Sequence, residues 1–382
     1  KIIFNLSVIS VLISLYFFEF YLKKKDNDKI SNLNIKKERY KIISGKDWDT
    51  RNQYQVYKDL LRSNPDVVPY FHASRLSLKE DIKIHSLSGV SNSLTVFCNE
   101  NGYYSVNLSD RYGFNNPDEE WDKNIIDYVF VGDSFTQGYC VNRPHDIPSV
   151  VRSNYNKNVL NLGYGGNGPL IEYATLREYL PKKVKKIVFM YFEENDFDDL
   201  SNELSDNILT KYINDENFDQ SLKEKQKLID YEKRKQILIR SEGDKYEFFK
   251  LRKTRQVIKD IIYKKKNKKN LNLNDNYKLE KLEKILFLSK KLALERKSDF
   301  YFVYLPSRIY YFKDNRFPEK SLYFDQIKSI AEKLNINFID IHKEVFEKEK
   351  NPKKLFPFEM LAHYNEEGYK KVAETIYKFT KD

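Results

Sequence analysis

Five apolar runs, separated by stretches with helical periodicity, constrain the fold of this chain more than any other sequence feature. The runs are IIDYVFVG from Ile125, NVLNL from Asn158, VKKIVFMYF from Val184, FYFVYL from Phe300 and INFIDI from Ile336. Stretches that favour helix lie at 148–155, 169–180, 322–334 and 366–379. Near-continuous apolar runs are typical of strands buried on both faces of a parallel sheet. Their alternation with helices predicts a doubly wound α/β domain of about five parallel strands over residues 125–382.

The composition excludes several classes of protein. Of the 382 residues, 41% are hydrophobic and 15% aromatic, which supplies enough apolar area to exclude wholesale disorder. Only 12 Gly and 11 Pro occur, so collagen-like and linker-dominated architectures are excluded as well. Two cysteines, Cys98 and Cys140, are too few for a disulfide scaffold or a cysteine-only zinc site, although one bridge between them stays open.

The N-terminal segment predicts a membrane anchor over residues 1–25. Its apolar run, Ile2 to Leu22, is long enough to span about 30 Å as a helix. No small-residue cleavage pattern precedes the lysines that follow the run, which favours a retained span over a removable signal peptide. Those lysines favour a cytoplasmic body, whereas short N-terminal anchors often export the chain; we expect the body on the outer face of the membrane. Residues 26–47 are polar and charged, which predicts a stalk.

Two further regions complete the predicted organisation. Residues 48–124, with strand-like pieces at 93–98 and 103–108, predict a small N-terminal layer packed on the α/β domain. Residues 198–297, rich in Lys and Glu, predict a helical insertion. Its basic cluster at 264–269 fits either a solvated loop or a contact with membrane phosphates or an acidic glycan. The net charge of +11 does not choose among anionic partners, and since no nucleic-acid-binding motif accompanies the lysines, no nucleic-acid partner is predicted.

Polar residues follow the predicted strands at the edge where an open α/β sheet binds its ligands. They lie at 132–134, 163–168 and 193–196, and a histidine precedes the last helix. Acyl transfer needs a hydroxyl nucleophile, an imidazole base and donors for the oxyanion. These residue types predict Ser134 as nucleophile and His363 as general base. The predicted oxyanion donors are the backbone N–H groups of Ser134 and Gly166 and the side-chain amide of Asn195.

The order of these motifs resembles the SGNH/GDSL hydrolase superfamily, which comprises esterases and acyl-carbohydrate hydrolases or transferases on a flavodoxin-like sheet. The resemblance covers residues 127–379, outside the helical insertion. Gly132-Asp133-Ser134 resembles the first family block, and Ser134 is then both nucleophile and backbone donor. Gly166 best fits the oxyanion glycine of the second block, with Gly163 as the alternative. Asn195 fits the third block and His363 the last, and the resemblance implies no cofactor.

Two positions depart from the family pattern. Glu193 occupies the place where the third block usually has Gly. The family usually has Asp two or three residues before the histidine, where this chain has Leu361 and Met360. Glu359 is the nearest carboxylate on that side and is the predicted third catalytic member. The alternatives are a backbone carbonyl that orients His363, or an impaired enzyme.

Other polar and aromatic residues receive structural interpretations first. Asp133 is expected to accept loop amides and Asp196 to cap a helix. The loop 110–116, with Arg111, predicts a connector that could also cover the cleft. The remaining histidines predict surface or packing roles and no metal site. Three tyrosines near the proposed cleft could stack on sugar rings: Tyr139, Tyr164 and Tyr191.

Together these features predict a membrane-anchored serine hydrolase or acyltransferase. Its expected substrate is an acylated small molecule or polysaccharide, such as an O-acetyl group on a cell-envelope carbohydrate. The alternative is a catalytically inactive relative that binds glycans or assists envelope assembly. The sequence predicts no cofactor and leaves the oligomeric state open.

Overall fold

The computed structural model describes residues 2–25, 28–77, 83–243, 251, 254–255, 257–258, 274–312 and 323–381. The chain divides into two compact units, one formed by Lys1–Trp48 with Lys235–Leu273 and the other by Asp49–Arg234 with Asn274–Asp382. The predicted insertion at 198–297 is therefore shared between the two units. Its basic cluster at 264–269 lies outside the described residues.

The first unit contains helices α1 (Ile2–Lys25) and α2 (Asp28–Ser44), the second of which covers most of the predicted stalk. Glu19 is buried in this unit, where its carboxylate accepts hydrogen bonds of 2.7 Å from the backbone N–H and the hydroxyl of Thr254. Within the part of the chain that the structure describes, no helix combines the length and apolar character that a bilayer crossing requires. The transmembrane helix predicted at Ile2–Leu22 is thus not supported.

The second unit begins with a layer of short elements. Helix α3 (Gln53–Leu61) precedes five strands: β1 (Val67–Pro69), β2 (Ser74–Ser77), β3 (Lys83–Ser86), β4 (Leu94–Val96) and β5 (Val106–Leu108). Strand β4 pairs parallel to β1 and antiparallel to β5, and β2 pairs antiparallel to β3. Strands β4 and β5 lie within the two strand-like pieces expected from the sequence.

The central sheet is parallel and contains all five predicted runs. Its strands are β6 (Ile126–Val131), β7 (Val159–Asn161), β8 (Val184–Phe192), β9 (Asp299–Leu305) and β10 (Asn337–Asp340). Their spatial order is β7-β6-β8-β9-β10, and Val129 of β6 faces Leu160 and Ile187 in the register. This is the flavodoxin-like order, in which the direction of winding reverses beside the first strand. The carboxyl ends of β6, β7 and β8 therefore border the crevice where such sheets bind ligands.

Helices cover both faces of the sheet, which confirms the doubly wound prediction. They are α4 (Ser134–Gln137), α5 (Ile147–Tyr155), α6 (Pro169–Tyr179), α7 (Asp196–Glu203), α8 (Leu209–Asn214), α9 (Leu222–Gly243), α10 (Asp275–Glu295), α11 (Ile309–Phe312), α12 (Phe324–Lys333), α13 (Ile341–Glu344) and α14 (Glu366–Thr380). Side chains of β6 alternate between two cores. Val129 and Val131 pack with residues of α6, α10 and α12, whereas Tyr128 and Phe130 pack with residues of α5 and α14.

A buried carboxylate joins the N-terminal layer to the sheet. Asp110 is fully buried and accepts hydrogen bonds from the indole N–H of Trp121 (2.7 Å), the side-chain amide of Asn116 (2.8 Å) and two backbone N–H groups. Asn116 also donates to the carbonyl of Asn161 on β7 (2.9 Å) and accepts its N–H (2.8 Å). The segment expected as a connector or cleft cover connects the two parts in this way, and its Arg111 pairs with the nearby carboxylates of Asp118 and Asp122.

Replacing Asp110 should destabilise the second unit. Asp110→Ala leaves four donors without their acceptor, two of them on buried residues, and we expect the free energy of unfolding to fall by about 3 kcal/mol. The exposed Asp299→Ala is the matched control and should change stability by about 0.5 kcal/mol or less. Urea denaturation of both variants measures the difference. Equal stability of the two variants would show that the Asp110 network is dispensable.

Candidate active site

Ser134 lies directly beyond the carboxyl end of β6, at the first position of α4. Asp133 caps this helix, because one oxygen of its carboxylate accepts the backbone N–H of Phe135 at 2.8 Å. The turn needs glycine at 132, since a Cβ there would lie 2.1 Å from the hydroxyl of Thr136. The N–H of Ser134 has no hydrogen-bond partner among the described residues. A helix N-terminus of this kind presents backbone donors to an anion.

His363 lies in the loop that precedes α14, and its ring faces Ser134. The distance from Nε2 of His363 to Oγ of Ser134 is 3.0 Å, which is hydrogen-bonding range. The ring packs against Phe135 and Tyr139, with centroid separations of 4.8 and 5.0 Å. Asn365 fixes the end of the loop by accepting the backbone N–H of Gly368 at 2.9 Å, as a helix cap. The two residues predicted as nucleophile and base therefore meet.

The carboxylate beside His363 belongs to Glu100. The prediction that Glu359 is the carboxylate next to the histidine is wrong. The Glu100 oxygens lie 3.1 and 3.2 Å from Nδ1 of His363, and one of them accepts the backbone N–H of His363 at 2.8 Å. Glu359 is exposed and makes no hydrogen bond to His363 within the described part of the chain. The backbone at 358 and 359 has positive φ values of 57° and 54°. Glu100 comes from the N-terminal layer, 263 residues before the histidine, so no local spacing could indicate it.

Two further aspartates lie behind the nucleophile. The hydroxyl of Ser134 also lies 3.3 Å from the second oxygen of Asp133. Burial raises the pKa of Asp133, while the backbone N–H of Phe135 and the charge of His363 lower it. Asp196 does not cap α7 as predicted; it accepts the backbone N–H of Phe192 at 2.7 Å. Burial, and then the charge of Asp133, raise the pKa of Asp196 well above its usual range.

The glycine loop after β7 leaves one predicted oxyanion donor unpaired. Gly166 is exposed, adopts a φ of 80°, and its N–H has no partner among the described residues. The N–H of Gly163, the alternative, donates to the side chain of Asn161 at 2.9 Å and is therefore engaged. Asn195 is the residue immediately before α7, and its amide donates to Asp199 at 2.5 Å, so one of its two N–H bonds remains for a ligand.

Two residues on this side of the site were not singled out by the sequence. Nδ1 of His72 lies 3.0 Å from the carbonyl of Gly165, and a Cβ on Gly166 would lie 2.6 Å from the same nitrogen. Asp199 accepts a hydrogen bond from the side-chain amide of Asn195, and a Cβ placed on Gly168 would lie 2.8 Å from the Cβ of Asp199. Both positions depend on tertiary packing, and no motif marks them.

The aromatic residues of the cleft behave differently from the prediction. Tyr164 and Tyr191 are buried, with exposed fractions of 2% and 1%, and so cannot stack on a ligand. Tyr139 is half-buried and packs against the rings of His363, Tyr70 and Phe97.

One group of described residues places three possible metal-ligand atoms within 4.8 Å of one another: Glu100, Cys140 and His363. Cys140 is bonded to Cys98, so the bridge that the sequence left open is formed. The group then offers two ligands, fewer than the three that catalytic zinc sites use.

The comparisons with known proteins give structures but no sequence relatives. No protein-family model and no curated protein matches the chain. Solved structures similar to it include a G-D-S-L family lipolytic protein from Desulfitobacterium hafniense, at 13% identity and TM-score 0.36, covering 66% of this chain and 99% of that one.

Two acetyl xylan esterases are also similar. AlAXEase shows 12% identity and TM-score 0.37 over 67% of this chain and all of its own. Axe2 from Geobacillus stearothermophilus shows 15% identity and TM-score 0.37 over 67% and 94%. Of the three, the Desulfitobacterium hafniense protein bears the G-D-S-L family name that the sequence motifs suggested. At such identities and TM-scores the three structures carry no inference about activity.

Glu100 rather than Glu359 should govern the reactivity of Ser134. Glu100→Gln removes the negative charge that can stabilise an imidazolium at position 363, and we expect labelling of Ser134 by a fluorophosphonate probe to slow by roughly 100-fold or more. Glu359→Gln is the matched control and should label at the wild-type rate. Rate constants from quenched labelling time courses decide the matter. A slow Glu359→Gln variant beside a fast Glu100→Gln variant would reverse the assignment.

The stability contribution of Asp199 should depend on pH. Burial raises its pKa from 3.8 to about 6, partly offset by the hydrogen bond from Asn195. A raised pKa in the folded state means that the carboxylate costs stability above pH 6, and that this cost disappears as the pH falls towards 3.8. The free energy of unfolding of Asp199→Asn, measured relative to wild type, should therefore be about 2 kcal/mol higher at pH 8 than at pH 4.

Urea denaturation at both pH values, with the exposed Asp198→Asn as a control for removing one charge, measures the Asp199 effect. A stability difference between Asp199→Asn and wild type that is the same at pH 4 and pH 8 would contradict the raised pKa.

Proposed function

We propose that this protein is a serine esterase that cleaves small acyl groups, with O-acetyl esters of carbohydrates as the substrate class. The observation that carries the proposal is the chain of contacts at His363: Nε2 lies 3.0 Å from Oγ of Ser134, and Nδ1 lies 3.1 Å from Glu100. A hydroxyl, an imidazole and a carboxylate in this order form a nucleophile, a general base and an orienting acid.

The proposed reaction uses these groups in two steps. Oγ of Ser134 attacks the ester carbonyl carbon while its proton moves to Nε2 of His363, and Glu100 accepts the Nδ1 proton of the ring in a hydrogen bond throughout. The tetrahedral oxyanion is held by the N–H groups of Ser134 and Gly166 and by the amide of Asn195. Collapse returns the proton from His363 to the leaving alcohol. Water, activated by the same nitrogen, then releases the acyl group from Ser134.

The same acyl-enzyme supports transfer as well as hydrolysis. If the hydroxyl of a second sugar enters in place of water, it forms a new ester bond with the acyl carbon. The ester bond to Ser134 breaks, and the proton of the sugar hydroxyl passes through His363 to Oγ of Ser134. We therefore include O-acyltransferase activity in the proposal. No step requires a cofactor.

Two features support the substrate class and the compartment. Tyr139, which is half-buried next to His363, is the aromatic side chain that we expect to contact the sugar ring. The Cys98–Cys140 bridge is typical of proteins that work outside the reducing cytoplasm, where envelope carbohydrates lie.

The alternative, an inactive glycan-binding protein, was prompted by the absence of Asp at positions 360 and 361. Glu100 provides a carboxylate at the place where that acid would act, so no observation favours the inactive reading.

The proposal is tested with p-nitrophenyl acetate and with acetylated xylo-oligosaccharides. We expect acetate release from both, and a loss of kcat of at least about 10⁴-fold in Ser134→Ala because the nucleophile is gone. Ser205→Ala, at an exposed serine whose hydroxyl donates only to the carbonyl of Asn202 among the described residues, is the matched control and should keep wild-type kcat. The proposed esterase activity would be refuted by a folded wild-type protein that releases no acetate and is not labelled at Ser134 by a fluorophosphonate.

A further inference from the structure

Glu100 reaches His363 from a loop that the central sheet does not support. The loop follows β4 in the N-terminal layer, and its neighbouring residues hold it through a few neutral hydrogen bonds. Asn99 donates to the carbonyl of Asp49 at 2.9 Å and accepts the N–H of Gly102 at 2.8 Å. Each of these neutral bonds contributes only about 1 kcal/mol net, so a covalent restraint beside Glu100 adds to what they supply.

The disulfide fastens this loop to the nucleophile segment. Cys98 lies two residues before Glu100, and Cys140 lies six residues after Ser134, with their Cα atoms 5.0 Å apart. Asn101, on the other side of Glu100, donates to the carbonyl of Cys140 at 2.9 Å. The residues on both sides of Glu100 are therefore connected to Cys140. Cys98 is connected by the covalent disulfide, and Asn101 is connected by a hydrogen bond.

Cys140 is itself fixed relative to the base. It is completely buried, and the preceding residue, Tyr139, packs on the ring of His363 with a centroid separation of 5.0 Å. The hydroxyl of Tyr369 on α14 donates to the carbonyl of Tyr139 at 3.2 Å. The segment that carries Cys140 is thus packed against both His363 and the helix that follows it.

We propose that the Cys98–Cys140 bridge is a positioning device for the orienting acid, so that the esterase is fully active only in its oxidised form. This inference rests on the proposed function. Small displacements of a catalytic group lower rates steeply, and the bridge is the covalent restraint nearest to Glu100. Loss of the bridge should therefore lower kcat through Glu100 while leaving KM nearly unchanged, because the groups expected at the oxyanion stay in place.

Reduction by dithiothreitol provides the reaction that removes the bridge. A thiolate of the reagent attacks Cys98, which is partly exposed, and displaces the Cys140 thiolate. The second thiol of the reagent then resolves the mixed disulfide. The bridge gains two electrons and two protons as two thiols, and the reagent leaves as a cyclic disulfide.

The test compares the effect of reduction in two backgrounds. In wild type, we expect dithiothreitol to lower kcat for p-nitrophenyl acetate by roughly 10- to 100-fold with KM changed less than about 3-fold. In Glu100→Gln, which has already lost the acid, the same treatment should lower kcat less than about 2-fold. The paired variant Cys98→Ser/Cys140→Ser should reproduce both results without reagent. All assays contain EDTA, since the freed thiols lie near Glu100 and His363 and could trap a metal ion.

Equal losses of kcat in the wild-type and Glu100→Gln backgrounds would show a general structural role and overturn the inference, as would no loss in either. A second readout separates this inference from the proposed function. The proton on Nδ1 of His363 should give a low-field NMR resonance in oxidised protein that is lost on reduction and in Glu100→Gln, whether or not the protein hydrolyses esters. If that resonance survives reduction, the bridge does not position Glu100, even where the protein proves to be an esterase.

Discussion

The winding of the parallel sheet is the constraint on which the rest of the site depends. Because β6 lies between β7 and β8, the turns after these three strands emerge at one edge, and they carry Ser134, Gly166 and Asn195. Burial of the sheet on both faces fixes the strands, and hydrogen bonds between the turns then fix the loops. Asn161 shows how: its side chain accepts the N–H of Gly163 at 2.9 Å and donates to the carbonyl of Thr136 at 3.0 Å.

Glu100 is the one member of the proposed triad that comes from outside the α/β domain at 125–382. Glu100 belongs to the N-terminal layer, which is tied to the sheet through the buried Asp110 network and to the nucleophile segment through Cys98–Cys140. That layer is therefore more than a cover. It contributes a carboxylate to His363 in a chain whose own histidine loop has Met360 and Leu361 in the usual place of the acid.

Much of this organisation could be predicted from the sequence, and each failure has its own physical cause. The five strands follow from local patterns, since apolar runs and turn motifs act over a few neighbouring residues. The pairing of Ser134 with His363 was predicted from the placement of both motifs at one sheet edge, from the needs of acyl transfer and from the family resemblance. Local spacing predicts Glu359, the nearest carboxylate before His363, as the acid. Glu100 is distant in sequence, and packing of the N-terminal layer brings it to the histidine. The expected cap at Asp196 failed for a local reason, because its carboxylate accepts the backbone N–H of Phe192, four residues earlier at the end of β8. The apolar segment at Ile2–Leu22 predicted a membrane span, but Glu19 within it is buried against Thr254 of its own unit.

The central claim is that four separate segments converge on one ester carbonyl. A crystal structure of the protein after reaction with a fluorophosphonate tests this most directly, because the phosphoryl oxygen of the adduct occupies the place of the oxyanion. The account predicts a covalent bond to Ser134 and an oxygen about 2.7–3.1 Å from the N–H groups of Ser134 and Gly166 and from the amide of Asn195, with Glu100 still at Nδ1 of His363. An adduct whose oxygen points to solvent, or a Glu100 turned away from His363, would contradict it.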